Sequence, residues 1–250
     1  MILNFRLDTT THIDVKQRIV NWSKEFVPHF ICAANVHMLM EAHDSDRVRE
    51  AVENADLVVP DGMPLVWLMR LKGHPGQQRV YGPTLMLHVL EAAVREKIPV
   101  GFYGGSPEVL TRLKERMRDR FSGLEIAFSM SPPFVEMSAE EDAQVVDEIN
   151  RSGARILFVG LGCPKQELWM YDHRKRIKAV MLGVGAAFDF HAGAKPQAPK
   201  WIQNIGLEWL FRLISEPRRL WKRYLYHNPR FVYFAAIDLL KYYLRPRNAS

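Results

Sequence analysis

Gly160-Leu-Gly-Cys-Pro-Lys-Gln-Glu167 gathers more chemistry than a turn requires. It follows the apolar run Arg155-Ile-Leu-Phe-Val159 and opens a polar segment compatible with a helix. Glycines let backbone N–H groups approach a bound group, and a helix start leaves several such donors unpaired at the positive end of its dipole. The chemistry this favours is anion binding. Gly160 and Gly162 supply backbone, while Lys165, Gln166 and Glu167 add a cation, an amide and a carboxylate. A second candidate is Asp61 in Pro60-Asp-Gly62, a carboxylate at the end of an apolar run, suited to taking a proton from a hydroxyl in a partly buried cleft. Pro-Asp-Gly is also what an Asx turn or a helix cap looks like, so the tripeptide alone does not decide.

The elements that must position these residues are legible as short apolar runs. Phe30-Ile-Cys-Ala-Ala34 ends at Asn35, Leu57-Val-Val59 at Asp61, Val100-Gly-Phe-Tyr103 at Gly104-Gly105-Ser106, and Ala179-Val-Met-Leu182 at Gly183-Val-Gly185. With Arg155–Val159 they predict strands buried on both faces and separated by helices: an α/β fold with a Rossmann-like parallel sheet flanked by helices. Ligands in such sheets bind beyond the carboxyl ends of the strands, so one cleft is expected to collect Asn35, Asp61, Gly104, Gly105, Gly160, Gly162, Gln166 and Gly185. Ser106-Pro107 predicts a helix start with Gly123 as its stop, and Ser138-Ala-Glu-Glu141 a capping box. Asn228-Pro229 predicts the restart of a helix in the tail.

Composition sets the class. A chain of 250 residues, 48% hydrophobic, can bury a full core. Cys32 and Cys163 form neither a disulfide framework nor a clustered zinc motif, which favours a reducing compartment. The N-terminal residues carry no signal-peptide pattern, so a cytoplasmic location is expected. The net charge of +6 is uneven: from Lys195 onward, eleven Lys/Arg against three acidic residues give +8, leaving −2 for residues 1–194. Two regions are expected, an α/β catalytic domain over 1–195 and a basic, aromatic, helical appendage over 196–250. The appendage's apolar run from Phe231 is broken by Asp238 and Lys241, so it can lie on a membrane and not cross it.

Other residues carry weaker signals. Asp44-Ser-Asp46 is the sole Asp-x-Asp pattern, but it sits away from any strand end and reads as a solvated turn, so metal ligation is not expected. His37 and His191 lie near strand ends and could shuttle protons, although lone histidines are more often structural. Two other function classes stay open at this point. A nicotinamide-dependent oxidoreductase would use glycine-rich turns, yet Gly160-Leu-Gly-Cys-Pro-Lys165 and Gly183-Val-Gly-Ala-Ala-Phe188 both lack the third glycine of the fingerprint. A basic nucleic-acid-binding module would account for the tail but leaves the glycine loops and Asp61 unexplained.

Taken in order, Asn35, Pro60-Asp-Gly-Met63, Arg79-Val-Tyr-Gly82, Phe102-Tyr-Gly-Gly-Ser-Pro107, Gly160–Glu167, Gly183-Val-Gly-Ala-Ala-Phe-Asp189 and Gly206-Leu-Glu-Trp-Leu-Phe-Arg212 resemble the WecG/TagA/CpsF family, glycosyltransferase family 26, over roughly residues 15–225. The resemblance implies an inverting transferase that moves a sugar from a UDP-sugar to a membrane-bound polyprenyl-diphosphate-linked sugar, in cell-surface polysaccharide, teichoic acid or exopolysaccharide synthesis. It implies Asp61 as the general base, with Asn35 and Arg79 in the catalytic centre. It also implies Gln166 and Asp189 about the UDP pocket and Arg212, Arg219 and Lys222 about the diphosphate, while the glycine loops and helix starts themselves add Gly104, Gly105, Gly160, Gly162, Lys165, Glu167 and Gly185 to the UDP-sugar side. No cofactor, metal or nucleic acid is expected. An anionic membrane surface on the inner face of the cell membrane is, and homo-oligomerisation is left open. Ala33 stands where many relatives have threonine, and Lys222 where arginine is common, which weakens a bidentate phosphate contact there.

Overall fold

The computed structural model describes residues 1–133, 135 and 137–244. Residues 245–250 of the expected appendage, Arg245 and Arg247 among them, lie outside the described residues.

Six strands form one sheet: β1 (His29–Ala34), β2 (Leu57–Pro60), β3 (Val100–Gly104), β4 (Ile126–Met130), β5 (Ile156–Gly160) and β6 (Val180–Gly183). Every pairing is parallel, in the order β2-β1-β6-β5-β3-β4. The helices are α1 (His12–Glu25), α2 (Val36–Asp44), α3 (Asp46–Glu53), α4 (Met63–Leu71), α5 (Gly82–Glu96), α6 (Pro107–Arg120), α7 (Ala139–Arg151), α8 (Lys165–His173), α9 (Ala187–His191), α10 (Lys200–Asn204), α11 (Glu208–Ser215) and α12 (Pro217–Leu244).

Alternation along the strands builds two apolar layers. Phe30, Cys32 and Ala34 face a core shared with α2, α3, α4, α7 and α8, while Ile31 faces one shared with α1, α5, α6 and α9. The α/β reading and five of the six strands therefore follow from the sequence. The strand it misses, β4, is an edge strand whose interior residue Phe128 is the buried one, so no apolar run announces it. Ser106 caps α6 through Val109 N, and Ser138 with Glu141 forms the full capping box of α7.

The tail corrects one expectation: Pro229 lies inside α12 and does not restart a helix there. Proline removes its own N–H from the ladder and its ring crowds the carbonyl four residues back, a local cost that tertiary contacts must outweigh. The helix is held on both sides of it, by Arg230 against Asp44 at 2.5 Å and by the buried side chains of Tyr224, Phe231 and Ala235. Further along, Asp238 accepts from Leu3 N and pairs with Lys72 at 2.8 Å. The tail thus returns across α2 and α4 to the body's amino-terminal end.

A second difference concerns where the cleft opens. The connection after β3 leads outward to β4, and the one after β5 leads the other way to β6, so the switch of direction falls between β3 and β5. That crevice is closed. A Cβ at Gly104 would stand 2.6 Å from the Gly160 backbone, and one at Gly160 would stand 2.6 Å from the Phe188 ring. Gly104, with φ of +121°, and Gly105, packed on Val109 and Phe188, serve close packing and do not line the cleft that the sequence assigns to them. The cleft opens instead over β5, β6 and β1.

Gly104→Ala is expected to lose more stability than Gly153→Ala. Gly153 has positive φ with nothing within 4 Å of an added Cβ, so alanine there meets only the left-handed penalty of about 1–2 kcal/mol. Gly104 adds overpacking, on the order of 1–3 kcal/mol more. Urea titrations of the two variants check the ranking; equal losses would mean the Gly104–Gly160 contact relaxes freely.

Candidate active site

Two pockets meet beyond the carboxyl ends of the strands. One, of about 430 Å³, is polar and runs from the Gly160–Glu167 loop past Gly183–Ala187 to Asp189. The other, of about 560 Å³, is walled by apolar side chains of α4 and α12, among them Trp67, Leu68, Phe231 and Leu239. Asn35, Asp61, Glu208, Arg212 and Arg223 line both.

Asp61 sits where the pockets join because β2 ends at Pro60 and the chain turns into α4 through Gly62, which is pressed against Asn35. Its Oδ1 accepts from Gly82 N at 2.8 Å. Burial pushes its carboxyl up to about 6; the Arg79 cation opposes that rise and the Glu208 charge adds to it. Arg79 donates through Nε to the Asp61 carbonyl and through Nη2 to Glu208 at 2.6 Å. Tyr81 OH donates to the other Glu208 oxygen at 2.9 Å, and the Arg79 guanidinium lies 3.9 Å from the Tyr81 ring centroid. Glu208 opens α11, so this network ties the tail to the base of the cleft. Arg79 faces the apolar pocket.

Asn35 caps α2, its Oδ1 accepting from Met38 N at 3.2 Å, which leaves the amide N–H groups for the pockets. Gln166 is fixed at both ends: Oε1 accepts from Gly185 N at 3.0 Å, and Nε2 donates to Glu167 Oε1 at 2.8 Å. Glu167 is buried, which raises its pKa, and its Oε2 has no hydrogen-bond partner. The start of α8, with Gly162, Cys163, Pro164 and Lys165, forms one wall of the polar pocket. Asp189 lines it too and pairs with Lys195 at 2.8 Å.

The opposite wall carries uncompensated cations. Arg212 and Arg223 each have a buried Nε without a partner, and neither forms an ion pair among the described residues. A half-buried guanidinium facing an open polar pocket without a counterion favours an anion there. Arg219 lines the same pocket but holds Glu216 at 2.7 Å. Lys222 is not brought into the cleft: it is exposed, 5.6 Å from the Trp221 ring, because one step along the helix turns Arg223 inward instead. Arg223, Tyr81 and Glu208 are the residues that sequence reasoning passes over. Glu208 and Tyr81 stood within quoted motifs, while Arg223 was hidden by the helical register.

Asp44 and His191 have structural partners. Asp44 is clasped by both terminal nitrogens of Arg230, and Ser45 caps α3, which accounts for the Asp-x-Asp pattern. His191 meets the Pro83 carbonyl at 2.9 Å. His37 lines the apolar pocket.

Asp61→Asn is expected to stabilise the protein at pH 8. An unfolded aspartate titrates near 3.9 and the folded one near 6, so the fold prefers the protonated form. The carboxyl adds no cost below pH 4 and a growing one as pH rises through about 6, reaching on the order of 1–3 kcal/mol. Denaturation at pH 4 and pH 8 checks this: the variant should gain at pH 8 and match the parent at pH 4. A loss at pH 8 would mean Arg79 stabilises the ionised form outright.

Comparison with known proteins shows the family. The chain is 34% identical over 204 residues, 81% of its length, to an N-acetylglucosaminyldiphosphoundecaprenol N-acetyl-beta-D-mannosaminyltransferase of Bacillus spizizenii, covering 77% of that protein. The family model for the WecG/TagA/CpsF glycosyl transferases matches residues 1–245, and with nearly the whole chain spanned, the protein belongs to that family of glycosyltransferases.

Proposed function

We propose that this glycosyltransferase moves a sugar from a UDP-sugar, held in the polar pocket, to the free hydroxyl of a polyprenyl-diphosphate-linked sugar whose lipid enters the apolar pocket. The observation that carries the reading is that a polar and an apolar pocket share Asp61 and two uncompensated arginines. A donor with a diphosphate and an acceptor with a diphosphate and a hydrocarbon chain call for that combination. The Bacillus spizizenii relative, by its name, joins N-acetylmannosamine to such a lipid-linked N-acetylglucosamine, so those two sugars are the first to try.

In this reading Asp61 removes the acceptor proton. The freed oxygen attacks the anomeric carbon from the face opposite the leaving group, and the bond from that carbon to the UDP oxygen breaks with inversion. Arg212, Arg223 and the backbone donors at the start of α8 balance the charge that builds on the departing diphosphate. The Asn35 amide orients the acceptor hydroxyl, and Arg79 and Glu208 set Asp61's position and field. Gly160, Gly185, Lys165, Gln166, Glu167 and Asp189 shape the donor side.

The segment 196–250 acts as an appendage that completes the site and rests on the membrane. No helix among the described residues is long and apolar enough to cross one. Trp201, Ile214, Trp221, Leu225, Tyr233 and Leu244 are nonetheless exposed on the tail, beside its excess of cations. Apolar rings and basic residues together suit an anionic lipid surface, at about 1 kcal/mol per Lys or Arg near it.

Asp61→Asn should lower transfer to a prenyl-diphosphate-linked N-acetylglucosamine by roughly 10²–10⁴ while leaving UDP affinity unchanged. For the parent, the rate should fall as pH drops through about 6, where Asp61 takes up its proton. In Glu208→Gln that acid limb should move to lower pH, because burial still raises Asp61's pKa but the Glu208 charge that adds to the rise is gone. Near-normal transfer by Asp61→Asn, or an acid limb unmoved by Glu208→Gln, would overturn the assignment.

A further inference from the structure

We propose that His37, Glu41 and His227 form a binding site for a divalent transition ion of the Zn²⁺ class, which ties the tail helix α12 to α2. Nothing in the transfer reaction described above requires this cluster, and the sequence reading expects no metal.

The three side chains come from two elements. His37 and Glu41 are one helical turn apart on α2 and face the same way, and His227 reaches them from α12. Glu41 Oε1 lies 3.5 Å from His37 Nδ1 and 3.2 Å from His227 Nε2. Two atoms each bound at ~2.0–2.1 Å to one tetrahedral ion stand ~3.3–3.4 Å apart, so these spacings already fit a shared ion. All three ligand atoms lie within 4.8 Å of one another. Nδ1 of each histidine is buried without a hydrogen-bond partner, a cost that ligation of His37 removes. The Cys163 backbone also faces the His37 ring, the kind of outer contact that orients a ligating imidazole.

Donor type selects the ion. Two imidazoles and a carboxylate suit Zn²⁺, Co²⁺ or Ni²⁺, whereas Mg²⁺ and Ca²⁺ want oxygen ligands. The fourth position is left for water. Glu41 is partly exposed, which gives the ion a way in. Arg223 and Arg212 face His37, and Arg230 and Asp44 lie near His227. The arginines repel a cation, so binding here is weaker than at a thiolate site. An ion at this point would fix α12 against the body beside the wall that α12 gives the apolar pocket.

The test uses the full chain, stripped with chelator and titrated with Co²⁺ alone. One equivalent should develop the visible absorption of tetrahedral cobalt, which Zn²⁺ abolishes, and Zn²⁺ should raise the melting temperature. His227→Gln and Glu41→Gln should each weaken Co²⁺ binding by at least the ~10–100-fold that loss of a merely supporting group costs, and remove the Zn²⁺ stabilisation. Melting of each variant without metal separates lost ligation from lost fold. Should His227→Gln fail to fold, the partly exposed Glu41→Gln decides alone. The proposal is overturned if the parent gives no cobalt spectrum, or if binding survives in the folded variants. It also fails if the variants lose stability while the parent binds no metal, since the cluster is then only a polar contact between helices.

Discussion

The guanidinium of Arg79 is held from two directions, and the site depends on that. On one side it donates to the Asp61 carbonyl; on the other it meets Glu208, at 2.6 Å, from the first turn of α11. Arg79 and Glu208 are both mostly buried, with side chains 15% and 13% exposed. Breaking a pair this buried leaves an uncompensated charge, a loss of about 3–5 kcal/mol where measured in other proteins. The body of the protein and its tail are therefore joined at the point where Asp61 is positioned. The same two charges act on the Asp61 carboxyl in opposite senses, and burial raises it further, to about 6. An ionised aspartate with that value is a stronger base than a solvated one and is still mostly unprotonated near neutral pH.

Stability and chemistry pull apart at this spot. The fold would be more comfortable with a neutral Asp61, and it accommodates Arg212 and Arg223 with buried nitrogens that no internal partner satisfies. Such local costs persist where the rest of the structure outweighs them. Here the compensation is the two apolar layers on a six-stranded parallel sheet, with Phe231 and Ala235 of the tail joining one of them. The tail contributes to the core and to the site with the same helix: Phe231 is buried and Arg223 lines both pockets, while Trp221 and Tyr233 remain exposed.

How much was legible in the sequence depended on whether the signal was local. The strands ending at Asn35, Asp61 and Gly160 announce themselves because a strand buried on both faces is a plain apolar run. Caps such as Ser106 and Ser138 act within three residues and are equally readable. Gly104 and Gly105 misled because glycine permits two things, close approach of a ligand and close approach of other protein atoms, and only the packing of Gly104 on the Gly160 backbone and of Gly105 on Val109 and Phe188 decides between them. Lys222 misled because proximity in sequence is not orientation on a helix; Arg223 next to it points inward. Glu208 acquires its role through contacts with Arg79 and Tyr81, 129 and 127 positions away, which no spacing rule anticipates. Pro229 looked like a start signal, but tertiary contacts on both sides carried the helix through it.

The central claim is that lipid and nucleotide occupy separate pockets that meet at Asp61. Photolabelling tests it most directly, using a prenyl-diphosphate-linked N-acetylglucosamine with a photoreactive group on the hydrocarbon chain and mapping the labelled peptides. The account predicts labels on α4 and α12, around Trp67, Phe231 and Leu239, that excess UDP does not displace. Labels concentrated on the Gly160–Glu167 loop, or displaced by UDP, would contradict it.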